Sequence, residues 1–339
     1  MSALAAPRAS PKRPAGVYLS AYLAPLRPFL SRPDVTDIFV QREGEVWLEA
    51  GGKTERHACG AVTAQLIARL AQHIAAANHQ AVSRAYPLLS GALPGGERVQ
   101  VVLASATRGF PALAIRRQVV SDLRLRDYAA AGSFERARDG RQTEPTVIDR
   151  CLAQLHSAGD YAVFLREAVV GRKNIIISGG TGSGKTTFLN ALLKEIPPAE
   201  RLIAIEDTPE VVLEHANAVG LVAAKGDQGE ARVTVEDLLQ ASLRMRPDRI
   251  MLGEVRGREA YSYLRAVNTG HPGSITTVHA DTCSGAIEQM ALMVLQAGLT
   301  LTRGEIVEYV RGVVDIVVQL GRDMSGRFVS EVLYEPRHR

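Results

Sequence analysis

Residues 173–196 read KNIIISGGTGSGKTTFLNALLKEI. Ile175, Ile176 and Ile177 form the short apolar run of a buried strand, and glycines interrupt it at once. The stretch that follows, TFLNALLKEI, is helical in pattern. GGTGSGKT at 179–186 matches G-x-x-x-x-G-K-[ST] in the strand–loop–helix setting that a phosphate loop requires. Its glycines let backbone N–H groups turn inward around phosphates, while the helix points its positive end at them. Lys185 is placed to reach the β- and γ-phosphates, and the Thr186 hydroxyl to hold Mg²⁺. The candidate nucleotide contacts are Gly180, Thr181, Gly182, Ser183, Gly184, Lys185, Thr186 and Thr187. A glycine turn that merely caps a helix would not need both flanks to be right. The ligand implied is ATP with Mg²⁺, and the reaction its hydrolysis.

Working outward from this loop, apolar runs at 173–178, 201–205, 250–253, 274–278 and 313–320 alternate with helical stretches. That alternation predicts an α/β fold: a parallel sheet with helices on both faces, spanning 146–339. The first half differs. A hairpin at 35–40 and 45–49 turns on Gly44, 62–78 has one apolar helix face, and 98–103 and 112–117 are strand-like. A smaller α+β domain is expected at 17–120. Residues 121–145 lose their period and turn polar, which suits a linker, and 1–16 has the composition of a disordered tail.

Parallel α/β sheets bind ligands beyond the carboxyl ends of their strands. Three further strands end in polar groups there: RLIAI in Glu206 and Asp207, IMLG in Glu254, and SITTV in His279. One such ending is usually a solvated loop residue. Three on the edge that carries the phosphate loop point to a catalytic cluster. Hydrolysis needs one carboxylate to activate water and another to organise the Mg²⁺ shell. Glu206 and Glu254 are the candidates, with Asp207 or Glu210 assisting, and the residues alone do not say which glutamate is the base. His279 is placed to hydrogen-bond the γ-phosphate, whereas His271, before Pro272, is as often structural as functional.

Bulk properties set the class. The 339 residues are 46% hydrophobic and 22% charged, as in ordinary globular proteins, with room for two cores. A net charge of +4 is mild and requires neither nucleic acid nor anionic lipid. The three scattered cysteines, Cys59, Cys151 and Cys283, fit a reducing cytosol better than a disulfide framework or zinc site. No run approaches the roughly 18 to 20 apolar residues of a membrane span, and the N-terminus lacks the apolar core of a secretory signal.

Four blocks carry a family resemblance: ISGGTGSGKTTFLNALL (177–193), IEDTPE (205–210), LRMRPDRIMLGEVRGREA (243–260) and GHPGSITTVHA (270–280). Their order resembles that of the secretion-superfamily ATPases, where they are the Walker A motif, aspartate box, Walker B motif and histidine box. GEVRG and NTGHPGSITTVHA look most like the traffic ATPase of type IV secretion systems. LSGALPGGERVQVVL (89–103) and ALAIRR (112–117) resemble its N-terminal domain, so the likeness covers nearly everything after the tail. The resemblance implies a RecA-like ATPase domain in a homo-hexameric ring. The ring would be cytoplasmic, lie peripherally at the inner face of the bacterial inner membrane, and engage inner-membrane channel components and a coupling ATPase. The family drives pilus assembly and export of DNA or protein. It implies that Glu206 activates water, that Glu254 and Thr186 serve Mg²⁺, and that His279 faces the γ-phosphate. It also implies that N-terminal arginines, Arg116 first and Arg98, grip the nucleotide. Alternation sends Arg116 and Arg117 to opposite faces of their strand. Arg244, Arg246 and Arg256 are candidates to complete a neighbour's site. Two other readings share the fold: a tight-adherence-type pilus motor and a RecA-like nucleic-acid motor. The second would want a basic stripe interleaved with aromatics, which make up only 5% of the chain.

Overall fold

The computed structural model describes residues 16–118, 123–135, 137, 145–224 and 229–335. Contacts divide the chain into two compact units, Met1–Ala104 with Gly109–Val119, and Ser105–Arg108 with Val120–Arg339.

The first unit opens with helices α1 (Val17–Tyr22) and α2 (Arg27–Leu30). Strands β1 (Val35–Val40), β2 (Glu45–Ala50) and β3 (Lys53–Ala58) follow, then α3 (Ala64–Ala77), β4 (Leu88–Ala92), β5 (Arg98–Val102) and β6 (Ala112–Arg116). The six strands form an antiparallel sheet in the order β3-β2-β1-β6-β5-β4. Thr63 starts α3 by accepting the Leu66 N–H at 3.1 Å. Ile67, Leu70, Ala71, Ile74 and Ala75 then recur at helical spacing and bury one face in the core that Val35, Ile38, Val99 and Ile115 share. Each large side chain among them contributes about 1.5–3 kcal/mol by leaving water. Arg98 lies directly opposite Arg116 across β5 and β6, so both stand on one face. Arg117 turns the other way and donates to the carbonyls of Arg32 and Val35, as alternation requires.

The second unit contains α4 (Leu125–Ala130), α5 (Val147–Ser157), α6 (Tyr161–Val170), β7 (Ile175–Gly179), α7 (Lys185–Leu193), β8 (Leu202–Glu206) and β9 (Ala218–Val222). It continues through α8 (Val235–Ser242), β10 (Arg249–Leu252), α9 (Glu259–Asn268), β11 (Ile275–Val278), α10 (Cys283–Leu295), α11 (Arg303–Val313), β12 (Ile316–Asp323) and β13 (Gly326–Tyr334). The sheet order is β13-β12-β7-β11-β10-β8-β9, parallel throughout except for β13, which returns antiparallel along β12. This is the alternating α/β arrangement expected of the region, with the phosphate-loop strand near the middle. Ile175, Ile177, Leu202, Ala204, Met251, Ile275 and Val318 fill its core.

Within the expected linker, 121–145, the short helix α4 forms; residues 121, 122, 136 and 138–144 of that stretch lie outside the described residues. The expected tail also lies outside them, except for Gly16. Strands β3, β4, β9 and β13 add to those that the sequence pattern predicts. β3 (KTERHA) is a polar edge strand with almost no apolar signal, and β9 (AVGLV) is short and interrupted by Gly220.

Candidate nucleotide site

β7, β8, β10 and β11 run parallel, so their carboxyl ends share one edge. The amino end of β10 is fixed by Arg249, fully buried, whose Nε and Nη2 meet Glu200 at 2.6 and 2.9 Å. Arg172 also pairs with Glu200, at 3.2 Å, so it is removal of Glu200 that would leave the buried Arg249 charge uncompensated; the pair holds the amino end of β10.

The phosphate loop leaves β7 with Gly182 and Gly184 at φ 76° and 93°, which a β-carbon would strain, and enters α7 at Lys185. Lys185 folds back onto its own loop, donating to the Gly179 carbonyl at 2.8 Å and to His279 Nδ1 at 3.2 Å. Burial holds its ammonium below the ordinary lysine value, with Glu254 opposing and Arg256 reinforcing the shift. The cation is thus placed where an anion would favour it. Thr186 Oγ1 donates to Glu210 Oε2 at 3.1 Å.

Glu254 and Glu206 differ in how fully they are used. Glu254 Oε2 accepts from Arg256 Nε at 3.0 Å and Nη2 at 2.6 Å, and Arg256 also pairs with Asp207. Those carboxylates hold the guanidinium above its ordinary value, the Glu254 hydrogen bond first. Lys185 Nζ lies 3.2 Å from Nδ1 and 3.5 Å from Nε2 of His279, and Nε2 lies 2.7 Å from Glu254 Oε1. That approach is out of line for a hydrogen bond, and Oε1 is buried without a hydrogen-bond partner among the described residues. An orphaned buried acceptor is costly unless a ligand or water completes it. Glu206, only 4% exposed, is more fully engaged: Oε1 accepts from the N–H groups of Glu210 and Val211 at 2.9 and 2.8 Å, and Oε2 pairs with Arg108.

These groups line a cavity of about 420 Å³, a normal size for a small-ligand site. Its wall joins the phosphate loop and the first turn of α7 to Glu206, Glu210, Glu254, Thr277 and His279. Two of the predicted loop contacts, Gly180 and Ser183, lie off the cavity wall, and Ser183 is buried. Arg327 of β13 completes the wall and donates to the Gly182 carbonyl at 3.1 Å. The structure therefore brings Lys185, Thr186, Glu206, Glu254 and His279 together. Arg98 and Arg116 belong to the other unit. Arg244 and Arg246 precede β10, at the amino ends of the strands, and of the three candidate arginines Arg256 alone reaches this edge. His271 also sits at the amino ends, donating from Nδ1 to the Pro247 carbonyl at 3.0 Å, and burial lowers its pKa, which fits a structural role. Arg108 and Arg327 are not legible in the sequence. Neither lies in a motif, and only the antiparallel return of β13 carries Arg327 to the loop.

The family described as "Type II/IV secretion system protein" matches residues 149–335. Type IV secretion system protein VirB11 of Brucella suis is 40% identical over 337 residues, covering 97% of this chain and 92% of its own. PtlH of Bordetella pertussis, a type IV secretion system protein, is 38% identical, with 93% of each chain covered. The crystal structure of the Brucella suis VirB11 ATPase with sulphate superposes with a TM-score of 0.89 at 39% identity, covering 95% of this chain and 99% of that one.

Proposed function

The chain belongs to the type II/IV secretion system protein family, and from that premise we propose how its site hydrolyses ATP to power type IV secretion. The observation that carries the reading is the cavity in which the Lys185 ammonium, the Thr186 hydroxyl and the orphaned Glu254 Oε1 meet. Lys185 exchanges its carbonyl contacts for the β- and γ-phosphates, and the loop N–H groups bind the same anion. The donor set fits Mg²⁺, a hard cation that takes oxygen ligands and keeps several waters. Thr186 Oγ1 would hold it, with Glu254 and Glu210 reached through water, and bound there it would neutralise phosphate charge. Glu254 is favoured as the residue that orients and deprotonates the attacking water, because Glu206 already accepts two backbone N–H groups and the Arg108 guanidinium while, among the described residues, Glu254 Oε1 accepts no hydrogen bond. His279, between Lys185 and Glu254, is positioned to sense the γ-phosphate.

Arg98 and Arg116 are proposed phosphate contacts from the first unit. Two like charges directly opposite on adjacent strands repel, and only Asp37, 3.9 Å from Arg116, stands against them among the described residues. An anion would relieve that pair. The double variant Arg98→Ala/Arg116→Ala should raise KM for ATP roughly tenfold, about what losing one charge-assisted contact costs. An unchanged KM would return both residues to the solvated surface.

The working form is a hexameric ring at the cytoplasmic face of the inner membrane, engaging channel components and a coupling ATPase that pass DNA or protein. No helix among the described residues is long and apolar enough to cross a membrane. Light scattering on the chain with ATP and Mg²⁺, followed by turnover of the same fraction with and without single-stranded DNA, tests this. A closed ring with DNA-independent turnover is expected. A monomer, or strong DNA stimulation, would contradict it, the latter in favour of a nucleic-acid motor.

A further inference from the structure

Glu206 closes β8 as a nearly buried carboxylate, and the turn after it is wrapped around that carboxylate. Oε1 takes the N–H groups of Glu210 and Val211, and Oε2 takes the Arg108 guanidinium. Arg108 holds the turn a second time, through Nη1 to the Val211 carbonyl at 2.7 Å. One planar guanidinium therefore grips both the carboxylate that organises the turn and the turn's own backbone, a use of arginine's fixed fork that lysine cannot reproduce.

The chain around Arg108 is shaped to deliver it. Its N–H donates to the Gly220 carbonyl at 3.2 Å, and Thr107 pairs antiparallel with Leu221, adding a short segment to the open edge of β9. Gly220 is where the side chain passes. A β-carbon there would stand 2.5 Å from Arg108 Cδ and 2.6 Å from Nε, so the arginine occupies space that only glycine leaves. The turn it holds carries Glu210, whose carboxylate accepts from Thr186 Oγ1 and whose carbonyl accepts from Asn190 of α7 at 3.2 Å. Asn190 Oδ1 in turn accepts the Val212 N–H at 2.8 Å.

We propose that Arg108 is a positioning residue for ATP hydrolysis, holding Glu206 and the 207–211 turn so that Glu210 stays set against Thr186. It does not line the nucleotide cavity and acts only through the turn. The inference rests on the reading of the cavity as an ATPase site. Its consequence is a fall in kcat with little change in KM, since the groups that would bind ATP remain in place.

The test is steady-state ATP turnover with Mg²⁺ by the full chain and five variants: Arg108→Ala, Arg108→Lys, Gly220→Ala, Glu206→Gln and Arg108→Ala/Glu206→Gln. A displacement of an ångström can cost about a hundredfold in rate, so Arg108→Ala should lose roughly 10- to 100-fold in kcat. KM should stay within about threefold, because a contact that positions without binding leaves substrate affinity alone. Arg108→Lys should recover part of the loss, keeping the charge but only one of the two grips. Gly220→Ala should reproduce the loss without removing a charged group. The double variant should be no slower than the slower single, because both act through one contact. Retention of more than about half the wild-type kcat by Arg108→Ala would overturn the proposal, and so would multiplicative effects in the double variant. Should Arg108→Ala fail to fold, Arg108→Lys and Gly220→Ala decide: full activity in both overturns it. An inactive wild type would sink the ATPase reading itself, whereas an active wild type with an active Arg108→Ala sinks only this inference.

Discussion

Lys185→Ala is expected to reduce ATP turnover by roughly 10²- to 10³-fold, the scale on which losing one preorganised donor to transition-state charge is felt. That corresponds to about 2.7–4 kcal/mol of barrier. The fold should survive. Lys185 makes no ion pair at salt-bridge distance among the described residues, and its hydrogen bonds go to two loop carbonyls and His279. Burial lowers its pKa, so without nucleotide the charged form is disfavoured in the folded chain. Removing the ammonium relieves that burial but also removes its hydrogen bonds to the Gly179 and Gly180 carbonyls and to His279, so thermal unfolding of Lys185→Ala without nucleotide should stay close to that of the wild type. The stabilisation that ATP gives the wild type should be absent from the variant, since only a ligand that binds the native state raises its stability. Turnover above about a tenth of wild type, a loss of no more than about 1.4 kcal/mol, would mean that the phosphate-loop assignment is wrong.

The edge that carries the candidate site was legible because its strands are buried on both faces. IIIS, RLIAI, IML and ITTV are nearly unbroken apolar runs, so Glu206, Glu254 and His279 stand out where each run stops. The phosphate loop was legible because its glycines and lysine answer to backbone geometry and charge that few other structures need. Alternation alone separated Arg116 from Arg117. What stayed hidden depended on pairing across the chain. Arg327 reaches the loop because β13 is an antiparallel edge strand with most of its side chains exposed, and that pattern carries no period a reader could use. Arg108 stands in a connection between β5 and β6, and nothing local announces that the segment joins the edge of β9. The difference in hydrogen bonding between the two glutamates was equally invisible. It depends on which backbone N–H groups turn toward Glu206, and the turn at 207–211 decides that, not the carboxylate itself.

Glu254→Gln is expected to bind ATP and stop before cleavage. The amide keeps the shape of the side chain and loses the basicity that water activation needs, a change worth roughly 10²- to 10⁴-fold in rate. Arg256 would keep one acceptor at this position, and the orphaned Oε1 site would still hold an acceptor or a donor for water. Binding through the phosphate loop should therefore persist. Glu206→Gln is expected to be milder, because an amide oxygen can still accept the Glu210 and Val211 N–H groups, and what is lost is the pairing with Arg108, which the amide NH2 cannot accept. The direct measurement is to incubate each variant with ATP and Mg²⁺, isolate the protein, and identify the nucleotide that stays bound. Intact ATP on Glu254→Gln, with ADP on the wild type and on Glu206→Gln, is the predicted result. ADP on Glu254→Gln together with intact ATP on Glu206→Gln would contradict the account and give water activation to Glu206.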